Sequence, residues 1–341
     1  SAVFLFRKLS LEMSDEPYIV GCWGMKKNVE NYFAAISIII VLIAGITCIK
    51  YSNAIYIWCL GDVQSIYKQA EGYYRQNRMK EAAGLYSRLA RIDSASNSQY
   101  ILGDIYYQGK LGEVNYKKAL KLFMKSAEGG NAKAQNNLGF MYTYGIGTEM
   151  DYSKAKNYLN MAVAQGYSQA QVGLGSLYRH GWGVTKSYTE AFKLYKRAAA
   201  HNNTDGMNNL GYMYTFGYGT PTNVNDAVYW FKKSASLNNV VALFNLAVFY
   251  IEGHGVPKDF LKAAELLDKA AKLNSPAAQF NLGLMYYFGK GVNKNYAMAK
   301  SLFQQASAQG HNYAMEFLLK VEDKEQVVET DSIFDLKIKA K

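Results

Sequence analysis

The chain has 341 residues and a formal net charge of +11, and 50% of its residues are hydrophobic and 14% aromatic. This apolar content excludes an intrinsically disordered chain, and the length allows two ordinary domains or one long array of repeats. The three cysteines, Cys22, Cys48 and Cys59, all precede residue 60. The rest of the chain therefore has neither a disulfide framework nor a Cys/His zinc motif.

The N-terminal region contains an apolar run, the 19 uncharged residues 31–49. A helix needs roughly 20 such residues to cross the hydrocarbon layer of a membrane. Lys26 and Lys27 precede the run, as in bacterial export signals. We therefore predict an N-terminal extension with a basic region at residues 1–30 and a transmembrane or signal-anchor segment at residues 31–60.

The same region predicts where the rest of the chain resides. If synthesis begins at Met25, residues 1–24 are an upstream extension. The charge asymmetry across the run is small and favours an extracytoplasmic or periplasmic location for the remainder, anchored to the membrane by a single pass through residues 31–49. The alternative is a secreted protein, because the small residues at 52–54 suit signal cleavage near Ala54.

From residue 95 onward the sequence repeats with a period of 36 residues. Each unit has a leucine, a small residue four positions before it and, in six units, a tyrosine four positions after it. Steps of four place these residues on one face of a helix, which we call helix A, and the small residue lets a neighbouring helix approach closely. The leucines are Leu102, Leu138, Leu174, Leu210, Leu246, Leu282 and Leu318.

A second helix, helix B, follows in each unit, with small, large and small residues at steps of four. This pattern is typical of interlocking antiparallel helices. Helix B ends at a column that contains only glycine and asparagine, the residues that most readily adopt the left-handed conformation that closes a helix. The column is Gly130, Gly166, Asn202, Asn238, Asn274 and Gly310.

Two glycines, such as Gly145 and Gly147, separate helix A from helix B in five units. A phosphate-binding loop is also rich in glycine, but it follows a strand, usually occurs once and continues into a Lys-Ser/Thr pair. Here the glycines recur between helices, so we interpret them as tight turns.

Units such as residues 277–307 resemble Sel1-like repeats, whose pattern is A-x-x-x-L-G-x-x-Y-x-x-G-x-G-V-x-x-D-x-x-K-A. The resemblance predicts six repeats at residues 95–310. Residues 61–94 resemble a helix pair of the tetratricopeptide type, and residues 311–341 are expected to form a capping helix and a charged tail. The family resemblance implies an all-α, right-handed α-solenoid of antiparallel helix pairs that binds proteins or peptides rather than catalysing a reaction.

In such solenoids helix A usually lines the concave surface, so its positions outside the core are candidates for contact with a partner. An exposed aromatic stripe there would anchor a partner segment. The alternative is that these side chains pack between neighbouring repeats. The candidates are Tyr100, Tyr107, Phe140, Tyr144, Tyr212, Phe216, Phe244, Ile251, Phe280, Leu284 and Tyr287, with Asp104 and Arg179 setting the orientation of the partner.

The sequence offers no catalytic motif, and its four histidines belong to different repeats. We therefore expect no enzymatic activity, no cofactor and no metal, and the absence of a recognition module argues against nucleic acid as a partner. The leading hypothesis is an adaptor of the cell envelope that binds a protein or peptide on its concave face. The alternatives are an immunity-type antagonist of a secreted, lipase-like toxin and a binder of cell-wall polymer such as peptidoglycan.

Overall fold

The computed structural model of the protein describes residues 63–91 and 96–322. The chain divides into two compact units, residues 1–68 and 69–341, and the second holds all of the repeats. The predicted N-terminal extension and the whole of the predicted membrane segment lie outside the described residues, as does the tail at 323–341. In the two described ranges no helix is both long and apolar enough to cross a membrane.

The described residues form fifteen α-helices and no strands, which confirms the all-α solenoid. Helices α3 to α14 form six pairs, repeats 1 to 6, in which the odd-numbered helix is helix A and the even-numbered one is helix B. The helices are α1 (Val63–Arg75), α2 (Met79–Leu89), α3 (Ser96–Tyr107), α4 (Tyr116–Glu128), α5 (Ala132–Tyr144), α6 (Tyr152–Ala164), α7 (Ser168–His180), α8 (Tyr188–Ala200), α9 (Thr204–Phe216), α10 (Val224–Ser236), α11 (Val240–Glu252), α12 (Phe260–Lys272), α13 (Pro276–Phe288), α14 (Tyr296–Ala308) and α15 (Asn312–Glu322).

The two helices of a repeat pack closely because helix A carries a glycine opposite a large side chain of helix B. A Cβ atom placed on Gly211 would lie 2.7 Å from the ring of Phe231, which is fully buried. Gly139 and Leu159 form the same contact in repeat 2. The Leu-Gly pair of the sequence pattern is therefore a packing requirement of the helix pair.

Each turn between helix A and helix B uses its two glycines for different purposes. Gly145 ends α5 with φ 68°, in the left-handed region that favours glycine. Gly147 approaches the preceding repeat, since a Cβ atom there would lie 2.6 Å from the Cβ of Tyr116, the first residue of α4. Repeat 1 keeps the first glycine as Gly109, with φ 66°, but has Leu111 at the second position, where no preceding repeat of this kind constrains it.

The helix ends follow the sequence pattern. The six residues of the glycine and asparagine column all have positive φ, between 57° and 84°, as predicted. Helix B begins behind a polar cap in every repeat; in repeat 2, for example, Asp151 Oδ1 accepts a hydrogen bond of 2.9 Å from the Lys154 N–H. The turn at Asn77, between α1 and α2, also has a positive φ of 60°.

The A helices form the inner side of the array. Helix α7 contacts α5 and α9, the A helices of both neighbouring repeats. Among the described residues, no two B helices of neighbouring repeats pack to a comparable extent. At repeats 2 to 4 the A helices are therefore closer together than the B helices, and we call the surface that the A helices form the inner face.

Candidate binding surface

The inner face of repeats 2 to 4 carries a group of aromatic side chains that remain at least partly exposed. We call this group the aromatic patch; its members are Phe140, Tyr144, Trp182, Tyr212, Phe216 and Tyr218. Phe140, Tyr144 and Phe216 are the most open, with exposed fractions of 46%, 50% and 43%. Large aromatic side chains that stay this open on a rigid array of helices are a candidate contact surface.

Two pairs of the patch arise from the same spacing of four residues along helix A, which brings side chains together on one face. The ring centroids of Phe140 and Tyr144 are 4.6 Å apart on α5, and those of Tyr212 and Phe216 are 4.7 Å apart on α9. Repeat 3 lies between these pairs and carries Ser176 and His180 at the corresponding positions of α7. The patch therefore has a pair of aromatic rings on each side of repeat 3, whose side chains at these positions are smaller.

Trp182 borders this part of repeat 3 from the turn that follows α7. Its ring meets the Tyr144 ring edge-on at 6.0 Å and stacks on His180 at 4.4 Å and on Tyr152 at 6.1 Å. The indole therefore packs between the aromatic pair of repeat 2 and the end of α7.

Arg179 is the cation at the centre of the patch. Its Nη2 donates a hydrogen bond of 2.8 Å to His180 Nε2, which must accept because an arginine has no acceptor. Its guanidinium lies 5.4 Å from the centroid of the Tyr212 ring, in cation–π geometry. Burial, together with the nearby charges of Arg179 and Lys186, lowers the pKa of His180. The lowered pKa favours the neutral imidazole, the form that accepts the bond from Arg179.

A cavity of about 270 Å³ opens between repeats 2 and 3 on the inner face. Asn136, Phe140 and Tyr144 of α5 lie on one side, Gly173 and Ser176 of α7 on the other. Trp182 and Leu159 also line it. The cavity therefore has aromatic and aliphatic walls with a few amide and hydroxyl groups at its border, a composition typical of small binding pockets.

The predicted residues of repeat 1 lie outside the patch. Asp104 accepts hydrogen bonds of 2.8 Å from Gln108 and 3.4 Å from the Tyr74 hydroxyl, and its Oδ2 lies 3.8 Å from Lys110 Nζ. Burial, and then the charge of Asp104, raises the pKa of Tyr100 to about 12. Asp104 thus already has partners within the protein, and its bond with Tyr74 connects repeat 1 to α1. Burial likewise raises the pKa of Tyr107, whose ring packs on Tyr116 at 5.3 Å.

The prediction of an exposed stripe is wrong for four residues of repeats 5 and 6. Their exposed fractions are 2% for Phe244, 5% for Ile251, 2% for Phe280 and 0% for Leu284. Phe244 and Ile251 belong to the hydrophobic core of repeats 4 to 6, where α11 buries apolar residues on all sides. They cannot offer an open surface to a partner.

The cap explains the burial in repeat 6. The Phe280 ring packs at 4.7 Å on His311 and at 6.1 Å on Phe317 of α15, and Leu284 belongs to the same buried cluster. Tyr287 packs edge-on against Phe317 at 5.8 Å and stays partly buried. The alternative interpretation, packing rather than partner contact, therefore holds at this end of the array.

Sequence reasoning missed Trp182, His180 and the cavity. Trp182 stands between the two glycines of its turn, a column in which the other repeats have isoleucine, tyrosine, histidine or lysine. Comparison of that column would have revealed that the turns, as well as helix A, contribute aromatic side chains. The contact of His180 with Arg179 has no equivalent signal, because it depends on side-chain rotamers.

No group of three or more metal-ligating side chains occurs in the part of the chain that the structure describes. In the same part, the charged side chains form isolated pairs such as Lys193 with Glu190 and Lys272 with Asp268. These pairs lie on exposed helix surfaces and contribute little to stability.

The antiparallel pairs, the shared turn geometry and the common inner face define a helical repeat protein. The Sel1 repeat matches six consecutive segments of 36 residues, at residues 96–131, 132–167, 168–203, 204–239, 240–275 and 276–311. The chain belongs to the Sel1 repeat family. Proteins of this family are generally non-catalytic scaffolds for protein interactions.

Solved structures of other proteins resemble this chain, and two of them serve here to compare folds. A Sel1 repeat protein from Oxalobacter formigenes is 27% identical with a TM-score of 0.63, over 71% of this chain and 99% of that protein. A protective antigen of uropathogenic Escherichia coli strains, which displays an SLR fold, is 28% identical with a TM-score of 0.58. That match covers 80% of this chain but 60% of the antigen, so the chain spans less than two thirds of it. Among curated proteins, no sequence matches this chain.

A looser likeness, at 18% identity and a TM-score of 0.43, is to an immunity protein from Pseudomonas aeruginosa. Similarity at this level does not bear on the function of the chain.

Proposed function

We propose that the repeat array is a non-enzymatic scaffold of the cell envelope that binds a segment of another protein along the inner face of repeats 2 to 4. The observation that carries this proposal is the aromatic patch, whose rings stay open, whereas Val248 and Leu284, which occupy the column of Phe140 in repeats 5 and 6, are 1% and 0% exposed. The Sel1 family is generally one of interaction scaffolds, which supports the same function.

The physical basis is the low entropic cost of binding to such a surface. Phenylalanine and tyrosine present a large contact area while freezing only two side-chain torsions, so they are frequent anchors at interfaces. Helices α5, α7 and α9 hold the rings in place before a partner arrives, and such preorganisation reduces the free-energy cost of association. We assign Phe140, Tyr144, Arg179, Tyr212 and Phe216 to partner contact and add Trp182.

Attachment to the membrane through residues 31–49, with the repeats outside the cytoplasm, is part of the same proposal. It rests on the apolar run and on the lysines before it. Membrane fractionation and protease treatment of intact and permeabilised cells test it. Recovery of the full chain in the membrane fraction, with repeats cleaved only after the outer barrier is opened, is the expected result; a cytosolic, unanchored chain contradicts it. A right-handed winding of the array also belongs to the proposal, and an experimental structure of the repeats would determine it.

Cross-linked capture with the full-length protein tests the binding surface. The patch variant combines Phe140→Ala, Tyr144→Ala, Tyr212→Ala and Phe216→Ala. The control variant, Tyr229→Ala with Leu261→Ala, removes exposed apolar side chains of the B helices, which are 55% and 59% exposed. We expect the wild type and the control to recover the same identified partner and the patch variant to lose it.

Equal recovery by both variants would show that the partner binds elsewhere. A second outcome concerns cell-wall polymer, since exposed aromatic rings also stack on sugars. If the detergent-solubilised chain pellets with purified peptidoglycan and the patch variant does not, the patch binds polymer and the scaffold function is wrong.

A further inference from the structure

The cavity between repeats 2 and 3 exists because repeat 3 carries small residues where its neighbours carry larger ones. Gly173 occupies a position that is asparagine in repeats 2, 4, 5 and 6, and Ser176 occupies the column of Phe140 and Tyr212. A Cβ atom at position 173 would lie 2.9 Å from Leu159 Cδ2 at the floor of the cavity. The space is therefore specific to this junction between repeats.

The size of the cavity limits what can enter it. An apolar cavity of about 150 Å³ holds a benzene molecule, whereas sites for drug-sized ligands begin at about 300 Å³. The volume of about 270 Å³ is thus at the lower end of that range and is large enough for one bulky side chain of a partner.

The second feature is the charge beside the cavity. Arg179 Nε is buried and has no hydrogen-bond partner, and no carboxylate lies within ion-pair distance of Arg179 among the described residues. Its neighbours are the His180 ring, which accepts its hydrogen bond, and the Tyr212 ring, and the charge of Lys186 lies near His180. A partly buried guanidinium that lacks an acidic partner favours a carboxylate as its partner.

The cavity and the cation are connected through side chains in direct contact. Trp182 lines the cavity and stacks on His180, which accepts the hydrogen bond from Arg179. Ser176 also lines the cavity, and its hydroxyl lies 3.2 Å from the hydroxyl of Tyr195. Neighbouring residues of an extended chain are about 3.3–3.6 Å apart, so one short segment can reach both features.

We propose that the segment bound at this junction carries a bulky apolar side chain next to a carboxylate: the side chain fills the cavity between repeats 2 and 3, and the carboxylate accepts hydrogen bonds from Arg179. This inference rests on the proposed function and specifies the partner chemistry at the same surface. The carboxylate is that of an aspartate, a glutamate or a free C-terminus, which Arg179 would recognise through the same chemistry.

Peptide selection provides the test. A phage-displayed library of random peptides is panned on the immobilised, detergent-solubilised full chain, and the selected peptides are synthesised with a fluorescent label for affinity measurement. We expect the selected sequences to share an apolar residue beside an acidic one. Replacement of the acidic residue by its amide should weaken binding about 30-fold, as expected for loss of one partner of a desolvated charged hydrogen bond. Versions ending in a free acid or an amide distinguish a C-terminal carboxylate from a side-chain one.

Matched variants of the protein separate the two features. Arg179→Met removes the charge and keeps an unbranched side chain of similar reach, while Arg197→Met does the same on the exposed surface of α8 and serves as the control. Gly173→Asn installs the residue that the neighbouring repeats carry, and Ser176→Phe fills the same space from another side if the first variant folds poorly. We expect Arg179→Met to weaken binding of the acidic peptide about 30-fold but to leave binding of its amide version unchanged.

The outcomes distinguish this inference from the proposed function. If the patch variant loses the peptides but Arg179→Met and both cavity-filling variants bind them normally, the surface is correct and the partner chemistry is wrong. If selection yields no peptide that the patch variant fails to bind, both proposals are wrong. Selected peptides without an acidic residue overturn the carboxylate directly.

Discussion

Repeats 2 to 4 and repeats 5 and 6 are built on one plan, yet their inner faces differ. The column two residues after the leucine of helix A holds Phe140, which is 46% exposed, but also Val248 and Leu284, which are 1% and 0% exposed. The helix bounds and the turn glycines are the same in both regions, and so is the glycine contact between helices A and B, except that repeat 5 has Ala247 at that position. The exposure of a column in a repeat array therefore depends on what lies against each member.

The neighbours account for much of this difference. In repeat 6 the cap helix α15 places Phe317 against Phe280, and in repeat 5 helix α11 is apolar on every side and joins a large core. In repeat 3, by contrast, Gly173 and Ser176 leave space beside the aromatic pairs. In the column two residues after the leucine, one end of the array thus buries its side chains in the core, while the middle leaves them at least partly open.

The largest expected effect compares one phenylalanine from each region. Phe280→Ala should lower the free energy of unfolding by about 3–5 kcal/mol, because it empties a buried site in contact with Phe303 and Phe317. Phe140→Ala removes an open ring and should cost less than about 1 kcal/mol. Urea denaturation followed by circular dichroism measures both, and equal losses would show that the two inner faces are not different.

The next effect tests the packing of helix A on helix B, which both regions share. Gly211→Ala and Gly283→Ala each introduce a Cβ atom less than 3 Å from a buried phenylalanine ring, at 2.7 Å and 2.6 Å. Both should lower stability by about 1–3 kcal/mol through overpacking. Gly84→Ala is the matched control in α2, where nothing lies within 4 Å, and it should raise stability by about 1 kcal/mol. A clear difference between the first two substitutions would contradict a common packing plan.

A smaller effect concerns a buried amide in the open region. Gln171 is 0% exposed, and neither its Nε2 nor its Oε1 has a hydrogen-bond partner. Gln171→Leu should therefore raise the free energy of unfolding by about 1 kcal/mol, which a higher urea denaturation midpoint would show. Met207 and Leu243 occupy the same position in repeats 4 and 5, so the site accepts an apolar residue.

The control for this substitution is Gln135→Leu in repeat 2. Gln135 donates to the Ala127 carbonyl at 3.3 Å and accepts a bond of 2.7 Å from Gln165, so its loss should destabilise the protein. In repeat 3 His201 occupies the position of Gln165 and bonds to the Arg197 carbonyl. Gln171 therefore lacks the partner that Gln135 has in repeat 2. A gain in stability from both substitutions would show that these bonds contribute nothing.

The smallest expected effect is the titration of His180. Burial and the charge of Arg179 lower its pKa, so the stabilising contribution of the neutral ring is complete above the unfolded-state pKa, and is lost as the pH falls through the lower folded-state value. Arg179→Met should raise the pKa of His180 towards its ordinary value of 6.5, as followed by NMR of the imidazole protons. His180→Gln assigns the resonance, and an unchanged pKa in the Arg179 variant would contradict the proposed influence of the guanidinium.

The repeat plan could be predicted from the sequence because each of its requirements recurs at a fixed interval. Asn202 and Asn274 ended their helices as expected, since few residues tolerate a positive φ. Exposure could not be predicted in the same way: Leu284 and Phe140 both lie two residues after the repeat leucine, but only Leu284 joins a buried cluster with Phe317 of the cap. The absence of a bulky side chain at Gly173 was visible in the sequence, whereas the cavity that results depends on how α5 and α7 approach each other.

The contact of the second turn glycine with the preceding repeat has an evolutionary consequence. Gly147 and Gly183 meet the first residue of the previous helix B in the same way, so each joint depends on a residue pair whose two members recur in each of repeats 2 to 6. A whole unit can therefore be duplicated or deleted in the gene without creating an unfamiliar joint. Ligand preference can then diverge at a few surface positions of one copy while its neighbours continue to maintain the array.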